Sequence, residues 1–202
     1  MLRRRRMVRD YADRPLDDAT VERILGAALR APSAGFSQGW AFLALTEASD
    51  RREFWRHAGH MRDAAPTMSV APLVVVALAS KDAYLDRYAE SDKGWTDRDE
   101  ARWPVPYWYI DTGMAALLML LTAVDEGLGA CFFGIVPEDI APLRAAFDVP
   151  DQFVPIGAVT VGYRSESLGA QGPRFAARRR SADEVIHRGR WQRHVAPLDA
   201  PA

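Results

Sequence analysis

The segment PLDDATVERILGAALRAPSAG (15–35) repeats its apolar residues at helical spacing. Val21, Ile24, Leu25, Ala28 and Leu29 fall at i, i+3, i+4, i+7 and i+8. Asp17 or Asp18 stands where an N-cap belongs, since a short carboxylate can accept from the free amides of a first turn. Ala31-Pro32 is expected to end the helix, because the residue before proline is pushed out of the α region. WAFLALT (40–46) and APLVVVALAS (71–80) read as strands. The second is apolar without alternation, as in a strand buried on both faces. SDRREFWRHAG (49–59) reads as a helix. DTGMAALLMLLTAVDEG (111–127) predicts one that is apolar nearly all round and therefore central in a domain or a dimer. Its most apolar part, Met114 to Val124, is too short to span a bilayer. GACFFGI (129–135) and FVPIGAVTVGY (153–163) predict two more strands around a short helix near Glu138 to Phe147. SADEVIHRGRW (181–191) predicts a last short helix.

The pattern breaks in YAESDKGWTDRDEARWPVPYWY (88–109), which has neither period and contains Gly94, Pro104 and Pro106. It is expected to be a long loop from Glu90 to Tyr109. Trp95, Trp103, Tyr107 and Trp108 on such a loop suit a lid over an apolar ligand or an ordinary subunit contact. The order of elements is mixed α and β, with a sheet carrying helices on both sides. No repeat or composition break divides the chain, so residues 1–202 are expected to form one domain.

Composition changes this picture little. Hydrophobic residues make up 49% of the 202 residues, and the net charge is −1, so no global field favours nucleic acid or membrane. The apolar h-region of a secretion signal does not follow Val8. One cysteine, Cys131, cannot form an internal disulfide. It reads as a small buried hydrophobe or a redox group, and a reducing cytoplasm is the compartment it suits.

Where the charge lies is more informative. Five arginines occupy the first nine residues, and Arg178, Arg179 and Arg180 cluster near the other end. Solvated or nucleic-acid-binding tails are one reading of the charge pattern; a bidentate clamp for a phosphate, if the ends converge, is another. The N-terminal run continues straight into Tyr11 and a capped helix. It lacks the interleaved aromatics that would stack bases, which disfavours a nucleic-acid arm.

Five stretches, RRMVRDY, APSAGFSQGW, DEGLGACFFGI, FVPIGAVTVGYR and ARRRSADEVIH, resemble in order the serial signatures of the nitroreductase family of FMN-dependent NAD(P)H oxidoreductases. The resemblance covers almost the whole chain. It implies an α+β fold with a central, mostly antiparallel sheet wrapped by helices, in an intertwined homodimer with FMN at the interface. It also implies a ping-pong reaction in which NAD(P)H reduces the flavin and a nitroaromatic, quinone or activated alkene reoxidises it. No separate dinucleotide fingerprint is expected, and the choice between NADH and NADPH stays open.

Carried over residue by residue, the resemblance assigns Arg5 and Arg6 to the FMN phosphate or ribityl oxygens. Arg9 falls to the N1–O2 edge of the ring, where a cation stabilises the reduced flavin. Met7 takes a position usually held by serine, which removes a hydroxyl but keeps the backbone N–H. Pro32, Ser33 and Ala34, with Gln38, would lie against the flavin at the dimer interface. Phe36 and Gly39 replace the usual Asn and Pro. Trp40 reads as a core anchor rather than a substrate contact. Gly134 and Ile135 match a segment whose amides pass near the pyrimidine edge, and Arg179 with Arg180 matches the basic residues that close the phosphate site.

The phenylalanine in APSAGFSQ also resembles the flavin-cleaving dimethylbenzimidazole synthases. Those carry Asp and Ser where this chain has Met7 and Gly134, which argues against flavin cleavage. A non-catalytic flavin store or redox sensor on the same fold, and use of a deazaflavin, are the remaining alternatives. His57, His60, His187 and His194 are acid–base candidates by type alone, and their spacing does not suggest a metal site.

Overall fold

Leu73–Ala79 forms β2, in which every residue is buried. Its alternate side chains serve two cores: Leu73 and Val75 point to one face of the sheet, and Val74, Val76 and Leu78 to the other. That explains why the stretch is apolar without alternation. The computed structural model describes residues 2–165 and 179–192, which belong to two compact units, Met1–Glu166 and Ser167–Ala202. In the first unit β1 (Trp40–Leu45), β2, β3 (Gly129–Phe133) and β4 (Val154–Gly162) form one sheet in the order β1-β2-β4-β3. All three pairings are antiparallel. A single parallel bridge, Met7 to Ala130, adds the N-terminal segment outside β3. The expected strands and the mostly antiparallel sheet are therefore present.

On one face lie α1 (Asp18–Ala28) and α5 (Tyr107–Asp125). Asp17 caps α1, accepting from the Thr20 amide and hydroxyl, each at 2.8 Å. Val21, Ile24 and Ala28 are buried as the spacing predicts. The helix stops at Ala28, three residues short of Ala31, because its last turn tightens: the Arg30 amide donates to the Ala27 carbonyl and the Ala31 amide to the Ala28 carbonyl, each three residues back. Leu29 consequently falls outside the helix and is exposed.

The helix α5 begins one turn earlier than its apolar core indicates. At 19 residues it is long and apolar enough by composition to match a bilayer, which the expectation from Met114 to Val124 did not allow for. Half of it is nevertheless buried, and Ala115, Ala116, Met119, Leu120 and Ala123 pack into the core shared with α1 and the sheet. Arg23 of α1 ties to Glu126 just past α5 through two hydrogen bonds of 2.7 and 2.8 Å.

The opposite face carries α2 (Ala48–Arg56), α3 (Gly59–Ala64) and α6 (Pro137–Ala146). Trp55 stacks on Phe133 with ring centroids 5.8 Å apart, and Cys131 and Leu143 are buried beside them. Cys131 is thus the small core residue its neighbours indicate. Burial pushes its thiol up, away from thiolate chemistry.

A helix absent from the sequence expectations, α4 (Lys81–Ala89), follows β2 directly. Residues 90–106 then fold back over it with one short turn at Glu100–Arg102. In the second unit α7 (Ala182–Val185) is capped by Ser181, whose partner in the capping box is Glu184.

Candidate functional site

Two groups of the expected site residues lie at opposite ends of α5. The first is the N-terminal segment. Val8 N donates to the Ala130 carbonyl at 2.9 Å, so alternation along the chain turns the Met7 N–H away from β3. Tyr11 anchors the far end: its hydroxyl donates to the Val8 carbonyl at 2.7 Å and lies 2.9 Å from Thr160 Oγ1. Burial raises the Tyr11 phenol well above its usual range, so it stays protonated. Thr67 Oγ1 donates to the Arg9 carbonyl at 3.1 Å. The backbone of residues 7–11 is fixed while the Arg9 side chain stays exposed, on the β3 edge of the sheet.

Arg5 and Arg6 differ. Arg6 Nη1 is satisfied locally by the carbonyls of Arg3 and Arg5, both at 2.9 Å. Arg5 Nη1 is buried and has no hydrogen-bond partner among the described residues. A buried guanidinium N–H without an acceptor is costly, and a phosphate oxygen would relieve that cost. These residues fit the phosphate end of a flavin: an unsatisfied arginine corner beside an outward-facing amide.

The second group is the turn from Pro32 to Gly39, between α1 and β1. Ala34 N donates to Asp111 Oδ2 at 2.8 Å, and Tyr84 OH donates to the same oxygen at 2.8 Å. Asp111 is 2% exposed. Gln38 N donates to Ser33 Oγ at 3.0 Å, Ser37 Oγ to the Ala34 carbonyl at 2.7 Å, and Arg87 Nε to the Gly35 carbonyl at 2.9 Å. Gly35, Phe36 and Gln38 all have positive φ.

Gly39 sits where a Cβ would come within 2.5 Å of the Tyr84 ring and 2.7 Å of the Ser80 carbonyl. That close approach accounts for glycine at a position where the family pattern has proline. Trp40 packs against the α1–α5 core, as an anchor does.

Gly134 follows β3 in the open, with no atom within 4 Å of where a Cβ would stand, and Ile135 packs into the α2–α6 core. Arg179 and Arg180 are exposed in the second unit, where Arg180 Nη2 donates to the Glu184 carbonyl at 2.6 Å. Arg178 and His194 lie outside the described residues. His57 Nε2 pairs with Glu53 Oε1 at 3.2 Å, and His60 Nδ1 lies 3.6 Å from Asp139 Oδ2, both close to α2 and α3 rather than to either group. No metal-binding cluster occurs among the described residues.

Sequence reasoning missed Asp111, Tyr84 and Arg87, which hold the Pro32–Gly39 turn. The signal for Asp111 was present: a lone carboxylate opening an otherwise apolar helix is costly unless something bonds to it.

Segment 90–106 packs its aromatic residues inward. Trp103 lies 4.5 Å from Tyr88 and 5.8 Å from Tyr84 between ring centroids, and Trp95 lies 4.9 Å from Tyr88. Ion pairs fasten it to α4: Arg87 with Asp92 at 2.7 Å, Arg98 with Asp86 at 2.9 Å, and Lys81 with Glu100 at 2.5 Å. Beneath it a cleft of about 570 Å³, lined by Ala79, Trp103, Trp108 and Val154 among others, opens at the end of the sheet.

The distance between the two groups is set by α5. Asp111 at its start holds Ala34, and Asp125 at its end leads through Leu128 to Ala130 and Met7. Fourteen helical steps put Asp111 and Asp125 about 21 Å apart. Between these ends, Ile110 and Leu117 on α5 are 45% and 46% exposed, and Met114 and Leu121 on the same stripe are half-buried.

Comparison with known proteins finds relatives that match nearly the whole chain. A protein of Archaeoglobus fulgidus, provisionally named NADH dehydrogenase/NAD(P)H nitroreductase, is 28% identical over 193 residues, covering 95% of this chain and 97% of its own. An NADPH-dependent oxidoreductase of Staphylococcus aureus is 23% identical and covers 95% of this chain and 72% of its own. In fold, the NfrA1 nitroreductase of B. subtilis superposes with a TM-score of 0.73 at 19% identity, over 94% of this chain and 73% of that one. The family model for nitroreductases matches residues 2–163, and the chain belongs to the nitroreductase family.

Proposed function

We propose that this protein is a homodimeric, FMN-dependent NAD(P)H oxidoreductase that reduces electron-poor organic acceptors. The observation that carries the reading is the buried, unpartnered Arg5 Nη1 near the outward Met7 amide, on a backbone that Tyr11 and Ala130 hold rigid. Family membership supports the oxidoreductase chemistry, and the relatives' names support NAD(P)H as donor. When bound, the flavin would take two electrons from NAD(P)H and pass them to the acceptor.

The protein's own residues orient and bias that exchange. Arg5 and the Met7 N–H would hold the phosphate. Arg9 would place a fixed cation at the N1–O2 edge of the ring, where negative charge develops on reduction. Gly134 leaves room for the ring to approach the end of β3.

Pro32 to Gln38 cannot join this group within one chain, because about 21 Å of α5 lies between them. A second copy resolves the problem. If the exposed stripe of Ile110, Met114, Leu117 and Leu121 packs antiparallel on its symmetry mate, the start of one α5 meets the end of the other. Each site would then combine Arg5, Met7 and Arg9 of one chain with Pro32, Ser33, Ala34 and Gln38 of its partner.

The test is the visible spectrum of the purified protein, before and after anaerobic NADPH and then NADH. A flavin band that bleaches with a donor and returns with a quinone or nitroaromatic supports the enzyme. A flavin that neither donor bleaches supports a store or sensor. A colourless protein that takes up no added FMN overturns the reading.

A further inference from the structure

Phe36 is held in a left-handed backbone conformation (φ 57°) and leaves 72% of its surface exposed. A bulky side chain there is an outlier, since its Cβ crowds the neighbouring carbonyl. Such conformations persist where the surroundings over-determine them, and they cluster at ligand sites.

The surroundings here are specific. Phe36 N donates to the Ser33 carbonyl at 3.0 Å, and Ala34 and Gly35 on its N-terminal side are pinned by Asp111 and Arg87. The Tyr88 ring presses on Gly35 so closely that a Cβ there would stand 2.5 Å from Tyr88 Cε2. Trp95 and Trp103 back that ring in turn. Every contact fixes the backbone, and the phenyl ring is left facing outward.

Asparagine, which the family pattern carries at this position, suits a left-handed backbone without strain. Phenylalanine is kept against that preference. The ring is not needed by the core, and the apolar stripe of α5 already supplies a surface for a second copy.

We propose that Phe36 is a specificity-determining wall of the acceptor pocket, stacking on flat, electron-poor aromatic acceptors at the flavin. This rests on the oxidoreductase reading above. Segment 90–106 then acts as a buttress: through Tyr88 it holds the wall at its angle.

The experiment compares the wild-type holoenzyme with Phe36→Asn and Phe36→Ala. Steady-state kcat/KM is measured with a naphthoquinone, which can stack, and with ferricyanide, which needs no aromatic contact. Sedimentation and FMN content are recorded alongside. The expected result is a fall of about three- to tenfold in the quinone-to-ferricyanide ratio of kcat/KM, with FMN and dimer retained. Phe36→Asn fits the left-handed backbone, so its melting temperature should be at least that of the wild type, which separates selectivity from unfolding. An unchanged ratio overturns the proposal. So does an equal loss with both acceptors accompanied by loss of FMN or dimer, which would make Phe36 part of the subunit contact. If the wild type itself binds no flavin, the oxidoreductase reading fails first and takes the proposal with it.

Discussion

Tyr84 and Asp111 share a buried hydrogen bond of 2.8 Å, and its acceptor oxygen also receives the Ala34 amide. One carboxylate therefore joins α4, α5 and the turn proposed to face the flavin. Burial, reinforced by Asp111, pushes the Tyr84 phenol far above its usual range, so it remains a donor wherever the fold persists. Tyr84→Phe removes one of the two donors and should cost about 1–2 kcal/mol of stability. Asp111→Ala strands both donors and should cost roughly 2–4 kcal/mol, with a larger loss of FMN affinity because Ala34 is released. Urea unfolding and FMN titration of the two variants would show this order; equal FMN affinities would remove Asp111 from the site.

Arg5 offers a cleaner test of the phosphate assignment. Arg5→Ala should weaken FMN binding roughly 10- to 100-fold, the worth of a charge-assisted hydrogen bond. Riboflavin, which has no phosphate, should bind wild type and variant alike. A parallel loss for both ligands would mean that Arg5 supports the fold rather than the phosphate.

Leu117 lies in the middle of the exposed stripe on α5. Leu117→Glu should yield a folded monomer by sedimentation and circular dichroism, and that monomer should lose FMN because the two halves of each site separate. A dimer that survives this change places the interface elsewhere.

Glu126 gives a dependence on pH. Its hydrogen bond to Arg23 holds its carboxyl below the usual glutamate range. A depressed carboxylate contributes stability that is fully present above its unfolded value and is lost as the pH falls through the folded one. The tie between α1 and α5 should therefore hold at neutral pH and fade below about pH 4.5. Glu126→Gln should flatten that part of a plot of urea midpoint against pH.

How much of this was legible in the sequence depends on what each stretch has to bury. Leu73–Ala79 and Val21, Ile24 and Ala28 read correctly because burial alone sets their pattern. KDAYLDRYA did not. Tyr84 and Leu85 are its only buried residues, and its ion pairs to segment 90–106 and the contacts of Arg87 and Tyr88 with Gly35 have no period. The proposed site was half legible. Motif order pointed to Arg5, Arg9 and Pro32 to Gln38, but their separation along α5 depends on sheet order and register, which are long-range properties. The partners of Asp111 and Arg87 were invisible for the same reason, since they lie 77 and 52 positions away, although the lone carboxylate of Asp111 signalled that it needed one.

If the two groups at opposite ends of α5 are half-sites of a dimer, as proposed, a genetic consequence follows. Consider one chain carrying Arg5→Ala and another carrying a lesion in the Asp111-held turn, each inactive as a homodimer. In a mixed dimer of the proposed arrangement, both lesions would fall on the same site, because that site would take its N-terminal half from the first chain and its turn from the second. The other site is built wholly from undamaged halves. Two defective alleles expressed together should thus complement, whereas two different alleles damaged in the same half should not.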